Sequence, residues 1–158
     1  MNIFIDEHKQ LLHTMVNNNV SFMLIGGYAV IYYGYERTTG DIDIWLKCSN
    51  ENRDKLVKAL EDFGIEEEGL EKLKQLDFVN PLPAFYIGEK PRRIDFVTLI
   101  SNVKFEDAVK KVNHFLLDGV NIPVIDYYDL ILSKLTSSRL KDKADIEELQ
   151  RINKYRKK

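Results

Sequence analysis

Apolar positions recur at near-helical spacing through the first residues (Ile3, Phe4, Leu11, Leu12, Met15, Val16) until Asn17-Asn18-Asn19 stops them, which predicts a packing helix over 3–18. Val20 to Ile25 is a continuous apolar run of strand length, closed by Gly26-Gly27. A short amphipathic helix over 28–35 follows, then the polar loop Glu36 to Gly40. There the period changes to two: in Asp41-Ile42-Asp43-Ile44-Trp45 the apolar residues alternate with acids, so Asp41 and Asp43 share one face of a strand. Residues 50–63 carry Leu56, Val57, Leu60 and Phe63 on one stripe between an Asn or Ser cap and Gly64, and Leu70, Leu73 and Leu76 repeat the helical period. Residues 77–91, with Pro81, Pro83, Gly88 and Pro91, read as edge strands joined by turns. The stretch 92–100 is a strand in which Asp95 faces away from Ile94 and Phe96. A helix over 105–113, a hairpin over 114–124 turning at Asp118-Gly119, and a helix capped by Asp126 with Leu130, Ile131, Leu132 and Leu135 inward complete the pattern. The expected fold is α/β, a short mixed sheet with helices packed on one face and the acids on the other.

Composition narrows this to one domain, residues 1–158, with a basic helical segment from about 126: 158 residues, 44% of them hydrophobic, suffice for a sizeable core. No apolar run is long enough to span a bilayer, and MNIFIDEHKQ lacks the apolar stretch of a signal peptide, so the expected location is the cytoplasm, with no membrane partner. Cys48 is the only cysteine, which excludes an intramolecular disulfide and a thiolate metal cluster. Net charge is −2 but uneven: from Lys134 onward nine basic residues face four acidic ones, net +5, leaving −7 for the first 133 residues. That end is either a solvated helix with a charged tail or a phosphate-facing surface. His8 and His13 are five apart, not the i, i+4 spacing of two ligands on one helical face, and His114 opens a hairpin as a structural residue.

Chemistry concentrates at the period-two strand. Side chains two apart on a strand sit roughly 6 to 7 Å apart, so Asp41 and Asp43 repel unless a cation lies between them, and magnesium is the cation expected. Gly26-Gly27 leaves backbone N–H groups open at a helix start, where phosphate can bind. A helix of about eight residues advances roughly 12 Å and a five-residue loop spans up to about 17 Å, so the acids return beside the glycines. Arg37, Thr38 and Thr39, in that loop, can each donate to an oxyanion. On its own stretch, Asp95 is equally an ordinary outward acid or a third carboxylate.

These residues carry a resemblance. Gly26-Gly27, Gly34, Arg37, Thr39 and Asp41-Ile42-Asp43-Ile44 are similar to the signature of the DNA polymerase β-like nucleotidyltransferase superfamily. Gly26-Gly-Tyr-Ala-Val30 and the Arg37 to Asp41 element resemble its small bacterial and archaeal abortive-infection and minimal-nucleotidyltransferase members. Lys134, Arg139, Lys141, Asp142, Asp145 and Ile146 resemble the element that closes them. Two departures stand out: the gap from the glycines to Asp41 is at the long end, and Gly27 replaces the serine of many members, so a phosphate contact there must come from backbone.

The resemblance implies a nucleotidyltransferase core and transfer of a nucleoside monophosphate from a nucleoside triphosphate such as ATP to a hydroxyl. Asp41, Asp43 and Asp95 would act in catalysis and hold two Mg2+ ions, while Gly26, Gly27, Arg37, Thr39 and Lys134 would hold the triphosphate. Asp142 and Asp145 are expected to cap or pair with Arg139 and Lys143. The implied acceptors are an RNA or tRNA end, a partner protein as in toxin–antitoxin or phage-defence systems, or a small antibiotic. A non-catalytic binding module or antitoxin is the alternative, and it predicts a lost carboxylate or a blocked cradle. The oligomeric state is open.

Overall fold

The computed structural model describes residues 4–37, 39–80 and 84–156; Ile3, Thr38, Pro81, Pro83, Lys157 and Lys158, used above, lie outside the described residues. Helix α1 (Asp6–Asn17) begins later than the apolar pattern suggests, because Phe4 leaves the helix to stack on Tyr28, ring centroids 4.5 Å apart. Strand β1 (Phe22–Ile25) runs into α2 (Gly26–Tyr32), and β2 (Ile42–Leu46) returns antiparallel beside it. Next come α3 (Asn50–Phe63) and α4 (Glu67–Lys74), then β3 (Phe85–Ile87) and β4 (Ile94–Val97), both shorter than the sequence pattern suggested. The expected helix over 105–113 is α5 (Phe105–Ala108) continued by a 3-10 turn, Val109–Lys111. The hairpin β5 (Asn113–Leu117) and β6 (Val120–Val124) turns where expected, Asp118 and Gly119 both at positive φ. Helices α6 (Tyr127–Lys134) and α7 (Leu140–Arg156) end the chain.

The six strands form one mixed sheet in the order β3-β4-β2-β1-β6-β5. β1 pairs antiparallel with β2 and parallel with β6, while β2 pairs parallel with β4. Side chains therefore sort by face: Ile42, Ile44, Ile94 and Phe96 are buried together, and Asp43 and Asp95, direct register partners, look out the other way. That second face is not bare along its length. Trp45, two residues beyond Asp43, is 1% exposed, packs edge-on against Phe105 of α5 and donates its indole N–H to the Thr98 carbonyl at 3.3 Å. The acids stand only at the end of the face that α5 leaves uncovered.

Local chemistry anchors these elements. Ser49 caps α3 by accepting from Asn52 N–H, and Gly64 closes it at φ +105. The buried Asn52 side chain accepts from Ser21 N–H and donates to the Ser21 and Lys47 carbonyls, fixing the far ends of β1 and β2. Asp126 caps α6 by accepting from Tyr128 and Asp129 N–H. Two residues expected inside that helix region are not: Leu132 is 40% and Leu135 55% exposed, while α7 meets α6 at Tyr127, whose hydroxyl donates to the Leu149 carbonyl, and at Lys134, which pairs with Asp142 and Asp145. His8 is fully buried, its Nε2 against the Arg92 carbonyl at 3.1 Å, and burial pulls its pKa below the usual range. No helix among the described residues is long and apolar enough to cross a membrane.

Candidate active site

The turn between β1 and α2 is tighter than expected, since the helix starts at Gly26 itself rather than at residue 28. Gly26 makes the change of direction alone, at φ +65, a conformation that a Cβ penalises. Close approach adds a second constraint: a Cβ on Gly26 would stand 2.2 Å from Asp43 Oδ2. The Asp43 carboxylate therefore rests directly on the Gly26 backbone. Opposite it, a Cβ on Gly27 would stand 2.7 Å from Thr39 Oγ1 and 2.9 Å from Arg37 Nη2, so these two side chains converge on the second glycine. The Thr39 hydroxyl donates to the Asp41 carbonyl at 3.3 Å.

Asp41 differs from its sequence reading. It stands one residue before β2 instead of within it, and its side chain does the work of a ladder carbonyl: Asp41 Oδ1 accepts from Arg93 N–H at 2.8 Å while Ile42 N–H donates to the Arg93 carbonyl at 2.9 Å. Parallel pairing of β2 with β4 is thereby extended, and Asp41, Asp43 and Asp95 all line one cavity of about 670 Å3 with Gly26, Gly27, Arg37, Thr39 and Lys134. All eight residues singled out in the sequence meet here. Burial, then the negative charges of Asp95 and Asp41, push the Asp43 carboxyl up to about 6, against a smaller opposite pull from Lys134 and Lys141. A divalent cation among these acids would remove that repulsion, which is the fit expected of hard oxygen ligands.

The basic side of the cavity is built unlike its sequence reading. Lys134 is 8% exposed and its Nζ lies 2.9 Å from Asp142 Oδ1 and 3.1 Å from Asp145 Oδ2. Asp145, fully buried, also takes Arg37 Nε at 3.5 Å. Its partners are thus Lys134 and Arg37 rather than the expected Lys143. Asp142 meets Arg139 as expected, and accepts as well from Ser137 and Lys134. Burial raises the Asp142 pKa, but these three donors together outweigh it and hold the carboxyl well below its usual range. Asp142 and Asp145 are three apart on α7 and so share a face; that spacing, with Lys134 ahead of it, was the available signal for the clamp.

Sequence reasoning missed Arg93 and Tyr86. Arg93 lines the cavity, with Nε 2.9 Å from Asp95 Oδ1 and its guanidinium carbon 4.7 Å from the Tyr86 ring centroid. The signal was period two, since Arg93 precedes Asp95 by two residues and belongs on its face.

Residues 3–155 match the model of a family described as "Nucleotidyltransferase of unknown function (DUF6036)". The fold is similar to that of the lincosamide antibiotic adenylyltransferase LnuA, solved with lincomycin bound: TM-score 0.58, 18% sequence identity, 96% of this chain and 99% of that chain covered. No curated protein sequence matches.

Proposed function

The chain belongs to the DUF6036 nucleotidyltransferases, and from that premise we propose that it moves a nucleoside monophosphate from a nucleoside triphosphate to a hydroxyl acceptor, releasing pyrophosphate, with Asp41, Asp43 and Asp95 as the catalytic, metal-holding acids. The observation that carries this reading is the meeting of the three acids with the Gly26-Gly27 turn in one cavity, Asp43 carrying the repulsion of the other two. In the reaction the acceptor oxygen attacks the α-phosphorus, the bond to the β-phosphate oxygen breaks, and the proton of the hydroxyl passes to Asp95. Negative charge grows at the entering and leaving oxygens together, and two Mg2+ ions held by Asp41, Asp43 and Asp95 would supply the neutralising charge at both.

The chain's own groups divide the remaining work. First-turn N–H groups at Gly26 and Gly27 have no partner within the helix and face the triphosphate. Arg37 and Thr39, packed against Gly27, flank it. Lys134 acts from inside its clamp: Asp142 and Asp145 fix the ammonium at the cavity wall, where it lends positive charge to the phosphates without a mobile stem.

The lining of the cavity of about 670 Å3 is polar and charged apart from the glycines and Pro91. Such walls offer little to an apolar acceptor and suit a hydroxyl presented from outside by an RNA end or a partner protein. The lincomycin-bound adenylyltransferase of similar fold makes a small hydroxylated antibiotic the second acceptor class to test. The experiment is incubation of the protein with ATP, CTP, GTP and UTP, Mg2+ and a cell lysate, followed by mass spectrometry of RNA, protein and small molecules. A nucleotide mass gained with wild type and not with Asp43→Asn identifies donor and acceptor. Equal gain with both proteins would remove Asp43 from the mechanism.

A further inference from the structure

Both carboxylates that flank Asp43 are engaged by one residue. The Arg93 backbone N–H donates to Asp41 Oδ1 at 2.8 Å, and the Arg93 guanidinium Nε lies 2.9 Å from Asp95 Oδ1. Tyr86, the register partner of Asp95 across the antiparallel β3–β4 pair, sits on the same face and carries the guanidinium over its ring at 4.7 Å. The Arg93 side chain is 28% exposed and lines the cavity, so it has room to move toward solvent without unpacking the core. Tyr86 is itself 63% exposed at the sheet edge.

One oxygen of Asp95 is turned to the guanidinium and one oxygen of Asp41 to the N–H. We propose that Arg93 is a resident counter-ion: without a divalent cation its guanidinium neutralises Asp95, and cation binding breaks that pair while the guanidinium stays at the cavity rim against the Tyr86 ring it already lies over. The inference rests on the reading above that these acids take up a divalent cation. The exchange is required by charge, because a guanidinium and a divalent cation sharing one carboxylate would stand within a few Å of each other with the same sign. Asp41 needs no such exchange. A carboxylate has a second oxygen, so Oδ1 can keep the backbone N–H that holds β2 to β4 while the other faces the ion. Arg93 is therefore a positioning residue that lets three acids fold together when no cation is present.

Two measurements on the full chain test this, neither needing turnover. In the first, the guanidinium Nε–H correlation of 15N-labelled protein is followed by NMR as Mg2+ is added, Arg93 being assigned by its loss in Arg93→Lys. The Arg93 signal is expected to shift and to saturate with the ion. A signal unmoved at saturating Mg2+ overturns the proposal. In the second, Mn2+ binding is measured by electron paramagnetic resonance for wild type, Arg93→Gln and Lys141→Gln. Arg93→Gln is expected to bind Mn2+ about tenfold more tightly than wild type, about the effect of 1.4 kcal/mol. Lys141→Gln removes one positive charge from the same cavity lining and leaves the Arg93–Asp95 pair in place, so its gain is expected to be under about threefold on screening grounds. Equal gains for both variants would mean net charge alone, and no gain for Arg93→Gln would mean no competition; either result overturns the proposal. If neither wild type nor Arg93→Gln binds Mn2+, the metal assignment under Proposed function fails first and takes this inference with it.

Discussion

Asp43→Asn should make the cation-free protein more stable while abolishing transfer. The Asp43 carboxyl is held at about 6 against an ordinary 3.8, by burial and by the charges of Asp95 and Asp41. The folded state thus binds the Asp43 proton more tightly than the unfolded chain does, so stability is fully present below about pH 4 and is lost as pH rises toward 6, after which the loss is constant. About two units at roughly 1.4 kcal/mol each give about 3 kcal/mol of strain in wild type at pH 8. An uncharged Asn does not carry it, and its amide can donate to the neighbouring carboxylates. In urea titrations with EDTA, the difference between Asp43→Asn and wild type should grow by about 3 kcal/mol from pH 4 to pH 8, or about 6–12 °C in Tm for a chain of this size. Mg2+ at about a thousand times Kd should reverse the ranking at pH 8, because a ligand that binds only the folded wild type then stabilises it by roughly 4 kcal/mol, more than the deficit of about 3 kcal/mol. Parallel stability–pH curves for the two proteins would refute the reasoning, since they would mean that Asp43 feels neither burial nor its neighbours.

Three further outcomes follow from the same geometry. Gly26→Ala should cost about 1–2 kcal/mol for the left-handed backbone alone, and more because its Cβ would displace the Asp43 carboxylate; urea titration and pyrophosphate release should both register it. Lys134→Ala should cost about 3–5 kcal/mol, because it leaves Asp142 and the fully buried Asp145 without their shared cation. The double variant with Asp145→Ala should recover part of that loss in a thermodynamic cycle. Asp142, whose pKa is depressed by Arg139, Ser137 and Lys134 against its own burial, contributes stability that is present above about pH 4 and lost as pH falls further, so Asp142→Asn should flatten acid unfolding there as followed by circular dichroism.

How much of this was legible in the chain depends on the range of the interaction. Local signals held well: Ser49 and Gly64 bound α3 where the cap and stop residues stand, and Asp118-Gly119 turns the β5–β6 hairpin. Asp41, Asp43 and the glycine turn were legible because period two and a short return loop fix their directions before any tertiary contact is known, while Asp95 joined them only through the family resemblance. Asp41 misled, since alternation cannot tell a strand residue from one whose carboxylate imitates a strand carbonyl. Arg93, Tyr86 and the Lys134–Asp145–Arg37 clamp were missed for a different reason. Each depends on which strand or helix lies beside which, and Asp145 in particular, expected to cap or pair with Arg139 and Lys143, meets Arg37 and Lys134 instead. Leu132 and Leu135 show the converse, apolar residues expected to face inward that stand exposed.

The sheet order has a consequence for synthesis of the chain. β1 is completed on one side by β2 immediately, but its other neighbour, β6, comes from the far end of the sequence, and Arg37 waits for Asp145. At ribosomal rates the roughly one hundred residues between Asp43 and Asp145 take about 5–20 s to appear. Throughout that interval the growing polypeptide carries its first two acids and its glycine turn with the inner edge of β1 open and no clamp beneath Arg37. A nascent chain released early would therefore contain the signature of the enzyme without its chemistry, and nucleotide transfer would begin only once the segment that carries Asp145 has been made.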